Sequence, residues 1–286
     1  MNNIYTESDR PLVSVIIPVY NGEKYIKKTI ESILRQSYSN FELCIINDGS
    51  IDNTHEIISN YFDKRITYIS RSNKGLSATL RELVDIASGD LIARIDADDM
   101  AHEDRLKLQV ESFLRNKKLI LAASNIEYID CEDKILGRSL SVINDKNIKS
   151  RLLKGNIIFH PSVMFRRDVY YNVGGYDIVI NKHIEDFLLW KKMSDYGEFH
   201  IINEYLTKYR VHSESITSNT PEKLGWLVSK VAKYGEYKDI YLDYHYVNNS
   251  QVINKSYSRS HGYKLPVNIC KLINLIYDKI IAFKIR

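Results

Sequence analysis

Cysteine is scarce in this sequence: three residues in 286, at Cys44, Cys131 and Cys270, far apart and in no metal-ligand spacing. That usage argues against a disulfide scaffold. Cys44, inside the apolar run from Leu43 to Ile46, reads as a buried free thiol in a reducing compartment. Long hydrophobic runs are missing as well. No stretch approaches the roughly 20 uninterrupted apolar residues of a membrane span, and Met1 to Arg10 has no apolar core for a signal peptide. The expectation is a cytoplasmic body. Neither sign of charge dominates: 40 basic residues stand against 36 acidic ones, a net +4 that is too mild to argue for nucleic acid. No Gly-x-Gly-x-x-Gly follows the first apolar run, and no Gly-Lys-Ser/Thr phosphate loop is present, which disfavours a dinucleotide cofactor or a Walker-type NTP site. What remains is the composition of a globular protein, 44% hydrophobic and 27% charged, long enough for one large α/β domain with an appendage.

The first hundred residues alternate between short apolar runs and amphipathic segments. Leu12 to Pro18 reads as a strand buried on both faces, stopped by Pro18 and turned by Asn21-Gly22. A helix is predicted from about Lys24 to Gln36, with Ile26, Ile30, Ile33 and Leu34 on one face. Phe41 to Ile46 and Ile66 to Ser70 are further predicted strands, with a helix from Asp52 or Thr54 to about Phe62 between them. After Asn73-Lys74-Gly75 come a helix over Leu76 to Ala87 and a strand over Leu91 to Ile95. Four such alternations imply a mostly parallel sheet with right-handed crossovers, which binds ligands at the carboxyl ends of its strands.

The last of these strands runs into Asp96-Ala97-Asp98-Asp99. Side chains at i and i+2 of an extended segment share a face, so Asp96 and Asp98 are expected to converge while Asp99 points elsewhere. Adjacent carboxylates repel unless a cation sits among them; a solvated acidic turn is the plainer alternative. Tyr20, Asp48 and the aspartates emerge on one rim, an arrangement able to grip a base, a ribose and a metal-bound diphosphate.

Downstream, the pattern predicts a helix over Arg105 to Phe113, a strand over Leu119 to Ser124, a polar hairpin over Ile126 to Ser139 and a short helix over Ile148 to Leu153. It continues with a strand over Pro161 to Phe165, a tight loop at Gly174-Gly175, a helix over Glu185 to Met193 and a strand over Tyr205 to Val211.

Taken in order over about residues 10–218, these segments resemble the inverting glycosyltransferases of GT-A fold, family two. Val13 to Asn21 is similar to that family's first strand and base-stacking loop. Asn47-Asp48-Gly49-Ser50, followed by Asp52-Asn53-Thr54, is similar to its second nucleotide segment, and Ile92 to Asp99 to its metal-binding aspartate motif. His160-Pro161-Ser162-Val163-Met164, Gly174-Gly175-Tyr176-Asp177 and Glu185 to Trp190 resemble the acceptor half, and Tyr209-Arg210-Val211-His212 the closing segment. One departure is Thr79-Leu80-Arg81, where many relatives carry Asn or Arg-Asn near the helix start.

The resemblance implies transfer of a sugar from a nucleoside diphosphate to a glycan or lipid-linked glycan hydroxyl, with inversion. The departing diphosphate gathers negative charge, which a divalent cation neutralises. Oxygen ligands suit Mg²⁺ or Mn²⁺, and the resemblance favours Mn²⁺. Asp98 is the first-choice ligand, with Asp96 on the ribose or metal and His212 on the metal or diphosphate. Pro18, Tyr20, Asn21, Asp48 and Ala97 fall on the nucleotide side, with Arg81 as a cation from a shifted position. Asp186 matches the general base and Glu185 beside it competes; only one can face the sugar, because neighbours on a helix point about 100° apart. His160 and Trp190 fall on the acceptor side, and UDP is the expected carrier. Two other classes stay open: a sugar-nucleotide nucleotidyltransferase, for which Val19 to Glu23 lacks a glycine-rich basic loop, and a non-catalytic binding protein of the same fold.

Beyond Pro221 the composition shifts to eleven Lys and Arg against five Asp and Glu, interleaved with tyrosines. The chain is accordingly divided into a GT-A domain over 1–220, with Ser213 to Thr220 as a lid, and a basic helical extension over 221–286. Leu265 to Arg286 has one apolar stripe flanked by lysines, which suits an anionic membrane surface at the inner leaflet or packing on another protein surface, including a second subunit.

Overall fold

A computed structural model describes residues 10–139, 145–153, 155–179 and 184–212. Its first half alternates β1 (Val13–Val19), α1 (Ile26–Leu34), β2 (Phe41–Asp48), α2 (Thr54–Ser59), β3 (Ile66–Arg71), α3 (Leu76–Ile86) and β4 (Leu91–Arg94). Within β1, Val13, Val15, Ile17 and Val19 pack into one core layer and Ile16 into the other; in β2, Leu43 and Ile45 divide from Cys44 and Ile46 in the same way. Both faces of these strands are covered, which is why their sequences are continuously apolar rather than alternating. One layer is closed by Ile26, Ile30 and Ile33 of α1 and the other by Leu80, Leu83 and Val84 of α3.

The second half supplies β5 (Met100–Ala101), α4 (Arg105–Arg115), β6 (Leu119–Ile129), β7 (Ile135–Arg138), α5 (Asp145–Leu152), β8 (Met164–Arg166), α6 (Arg167–Asn172), α7 (Glu185–Met193) and β9 (Glu198–Arg210). The strands join in the order β3-β2-β1-β4-β8-β6-β9-β5, with β7 paired to β6. From β3 to β4 every pairing is parallel; β8 then enters antiparallel to β4, with Ile92 opposite Phe165 and Ala93 opposite Met164. Arg105 of α4 braces this seam from below, its Nη2 donating to the carbonyls of Arg94 at 2.7 Å and Val163 at 3.2 Å.

Several expected boundaries move. The strand over 119–124 and the first arm of the hairpin over 126–139 are one eleven-residue strand, bent at Ser124 and Asn125, where its register against β9 shifts. These buried polar residues are met within the sheet, Ser124 Oγ donating to the Asn125 carbonyl at 3.0 Å and Asn125 Nδ2 to Asn203 Oδ1 at 3.3 Å, so polarity there marks a bend and not an end. β9 is likewise longer than expected, because β6 pairs with it along most of its length. At Pro161 the expected strand begins with a 3₁₀ turn over His160–Ser162, since proline brings no N–H to a ladder. The short β5 and α6 carry no periodic signal.

Among the described residues, no helix is long and apolar enough to cross a membrane. The proposed lid, the division at 220/221 and the basic extension lie outside the described residues.

Candidate active site

The order of the strands reverses between β1 and β4, and the crevice outside the carboxyl ends at such a point is where open α/β sheets take ligands. β1 runs through Pro18, which is buried and in register with Ile46, and ends at Val19 instead of stopping at the proline. The following loop exposes Tyr20, 54% accessible, while Asn21 adopts φ 53° and closes onto the β2–α2 loop. Its amide donates to Ser50 Oγ at 2.8 Å, its side-chain oxygen accepts from Ile51 N at 3.0 Å, and Gly22 N donates to Thr54 Oγ1 at 2.8 Å. Asn21 therefore builds the rim on which the Tyr20 ring stands free.

Asp48 sits on the same rim but is spoken for. Its carboxylate pairs with Arg71 and accepts the amides of Lys74 at 2.7 Å and Gly75 at 3.0 Å, so it shapes the β3–α3 loop instead of presenting open oxygens. Arg81, one turn and a half into α3, donates to the Tyr176 carbonyl at 3.3 Å and so faces the glycine loop of the second half.

Past β4 the chain turns at Ala97-Asp98, Asp99 N reaching back to the Asp96 carbonyl at 3.3 Å. This turn corrects the extended reading of the motif. Asp99 is not directed elsewhere: oxygens of Asp96, Asp98 and Asp99 all lie within 4.8 Å of one another, the one such group of potential ligands among the described residues. Thr29 of α1 holds the turn, its hydroxyl contacting the carbonyls of Ala97 at 2.9 Å and Asp99 at 2.7 Å. Burial, then the neighbouring Asp98 and Asp96, hold the Asp99 carboxyl well above its ordinary range; burial also raises Asp96, against the Arg94 guanidinium that grips it with both arms. His212 completes the group, Nε2 2.8 Å from Asp98 Oδ2. The donor set fits a divalent ion: hard carboxylate oxygens, one imidazole at the edge, and a buried Asp99 Oδ2 that no hydrogen-bond donor meets.

Across β4 lies the second half's contribution. At the start of α7, Glu185 and Asp186 point to different surroundings. Glu185 is buried, with Oε1 3.6 Å from His160 Nδ1, and His160 Nε2 is hydrogen-bonded to the Tyr176 hydroxyl at 2.8 Å. Burial and the charge of Arg94 push His160 well below its usual value, so the ring is neutral and relays contacts between buried groups. Asp186 is half-buried; it accepts from Asn156 Nδ2 at 2.8 Å and from Phe187 N at 2.6 Å. Burial first, and then Glu185, raise its carboxyl to about 6, while His160 acts in the opposite sense. Trp190 has no accessible surface; it packs on His160 and Phe165 and backs the site from inside the core. An acceptor-side contact by Trp190 itself has no surface to make it.

Three residues acquire parts that sequence reasoning did not give them. Arg94 pairs with Asp96, Asn156 with Asp186, and Arg210 with the aspartate turn. The available signal was a charged residue inside an apolar run, at Arg94 in β4; Asn156 and Arg210 gave none, because their partners are distant in sequence.

The family model described as glycosyl transferase family 2 matches residues 14–174, more than half of the chain. The chain belongs to this family. It is a glycosyltransferase. An uncharacterised glycosyltransferase of Methanocaldococcus jannaschii is 33% identical over 257 residues, which cover 88% of this chain and 85% of the relative. Chondroitin synthase of Escherichia coli is 29% identical over 209 residues, 72% of this chain but 30% of the synthase. Among solved structures, S. aureus TarS in complex with UDP-GlcNAc superposes with a TM-score of 0.62 at 18% identity, covering 86% of this chain and 76% of TarS. The mannosyltransferase PcManGT of Pyrobaculum calidifontis, in complex with GDP-Man and Mn²⁺, gives 0.61 at 15% identity over 93% of this chain and 79% of that one. At such identities the superpositions establish the fold, a curled α/β sheet of GT-A type.

Proposed function

We propose that this chain is a metal-dependent, inverting hexosyltransferase that moves a sugar from a nucleoside diphosphate, UDP by preference, to a glycan or lipid-linked glycan hydroxyl in surface polysaccharide synthesis. The observation that carries the reading is the meeting of Asp96, Asp98 and Asp99 at the β1/β4 crevice, with a half-buried carboxylate of raised pKa, Asp186, across the β4/β8 seam. The TarS and PcManGT complexes, with UDP-GlcNAc and with GDP-Man and Mn²⁺, support a sugar-nucleotide donor. The likeness to chondroitin synthase supports a glycan acceptor.

Tyr20 offers its exposed face to the base, on a rim shaped by Pro18, Asn21 and Asp48. Asp96 faces the ribose or diphosphate and is steadied by Arg94. Asp98, Asp99 and His212 are the side chains that would hold Mn²⁺ or Mg²⁺, which when bound supplies electrophilic stabilisation of the leaving diphosphate. Asp186 takes the proton of the acceptor hydroxyl. Glu185, buried against neutral His160, is poorly placed for that exchange. No acid is needed for the leaving group, since the nucleotide departs as an anion.

Thermal-shift measurements with UDP, GDP, CDP and TDP, each with and without Mn²⁺, test the donor reading. One nucleotide is expected to raise Tm strongly, and only with metal. The absence of any metal-dependent shift overturns it. Donor turnover under the same conditions separates an enzyme from a binding protein, and release of nucleoside monophosphate rather than diphosphate would indicate a nucleotidyltransferase.

A further inference from the structure

We propose that Arg210 is a positioning residue for the aspartate triad, and that it takes its own anchorage from the tip of the β6–β7 hairpin. The inference rests on the metal reading above but concerns a residue to which that reading gives no part. Arg210 closes β9 and is 1% accessible. Its backbone amide donates to Asp99 Oδ1 at 2.7 Å, and its Nε donates to the Asp98 carbonyl at 2.8 Å. One residue thereby fixes the peptide of one candidate ligand and the carboxylate of the next. Its guanidinium lies 4.4 Å from the centre of the Tyr25 ring, and Tyr25 in turn packs on His212 at 5.3 Å.

The rest of the guanidinium faces away from the triad. Nη1 donates to the Asp130 carbonyl at 2.6 Å, and Nη2 forms an ion pair with Asp133 Oδ1 at 2.6 Å, outside hydrogen-bond geometry. Asp133 stands in the hairpin turn at φ 68°, and its other oxygen accepts from Lys28 of α1 at 2.5 Å. The hairpin tip is thus tied at once to α1, which carries Thr29 beneath the same aspartate turn, and to Arg210. A buried cation is costly unless its donors are met. Here the planar fork meets the Asp98 carbonyl on one side and the hairpin on the other, a geometry that the single ammonium of lysine cannot reproduce.

The test is a titration of the full-length protein with Mn²⁺ alone, read by the loss of the free-ion EPR signal. Groups that orient metal ligands without touching the metal are worth about 10–100-fold in metal affinity. Arg210→Lys, which keeps the charge and loses the fork, is expected to raise the Mn²⁺ Kd about tenfold or more. Asp133→Asn lies in the hairpin turn and is expected to raise it severalfold with an unchanged circular dichroism spectrum, so it decides the matter if Arg210→Lys does not fold. Wild-type Mn²⁺ affinity in both folded variants, or in Asp133→Asn alone if the other is lost, overturns the inference and leaves the metal reading intact. A wild-type protein that takes up no Mn²⁺ overturns the metal reading first, and this inference with it.

Discussion

At the scale of single residues, the proposed chemistry divides between Asp98 and Asp186. Asp98→Asn is expected to abolish metal-dependent nucleotide binding, measured by calorimetry with and without Mn²⁺. Asp186→Asn should keep that binding and lose transfer by about 10²–10⁴-fold, the usual contribution of a general base. Because the Asp186 carboxyl is raised to about 6, the protonated form predominates below that pH and cannot accept a proton. The rate of transfer should therefore fall about tenfold per pH unit below 6 and level off above it, in a pH–rate profile at saturating metal. The sign for stability is opposite: a carboxyl raised by burial favours its neutral form in the fold, so its contribution is full below the ordinary 3.8 and is lost as pH rises to about 6. Near pH 7.5, Asp186→Asn should then be no less stable than wild type in urea unfolding. The aspartate cluster stood out because carboxylates abruptly follow the apolar run to Ile95, whereas Asp186 was singled out only by the resemblance of Glu185 to Trp190 to the family's motif. Arg210 was not legible: its meaning lies in Asp98, 112 positions away.

At the scale of elements, β1, β2 and β4 and the helices between them were legible because both faces of these strands are buried and their apolar code is continuous. The bend in β6 escaped because Ser124 and Asn125 are polar and buried at once, a combination that periodicity reads as a loop. α1 shows how an element serves a site. Its inward face carries Ile26, Ile30 and Ile33, with Thr29 and Ser32 as the buried polar residues among them. Thr29→Val would leave the Ala97 and Asp99 carbonyls without this donor at nearly constant volume. The expected loss is about 1–3 kcal/mol in denaturant unfolding, together with weaker Mn²⁺ uptake, since the turn it holds carries the triad.

At the scale of the whole molecule, donor and metal are expected to stabilise the chain together. With ligand at about 100 times its Kd the gain is about 2.7 kcal/mol, visible as a Tm that climbs with nucleotide concentration only when Mn²⁺ is present. For the basic C-terminal segment, liposome flotation of full-length protein against a chain lacking residues 265–286 is the measurement; equal partitioning removes the proposed peripheral attachment. The general architecture was legible from the order of segments, whereas the direction of β8 was not, since nothing in Met164–Arg166 says which way a neighbour runs. That reversal has a mechanical consequence. The first half meets β8 along three facing residues, Leu91 with Arg166, Ile92 with Phe165 and Ala93 with Met164. Beneath that short seam the two halves share one core, in which Ile16, Cys44 and Leu80 pack with Phe165, Phe187 and Trp190, so the halves are expected to melt together in a single denaturant transition.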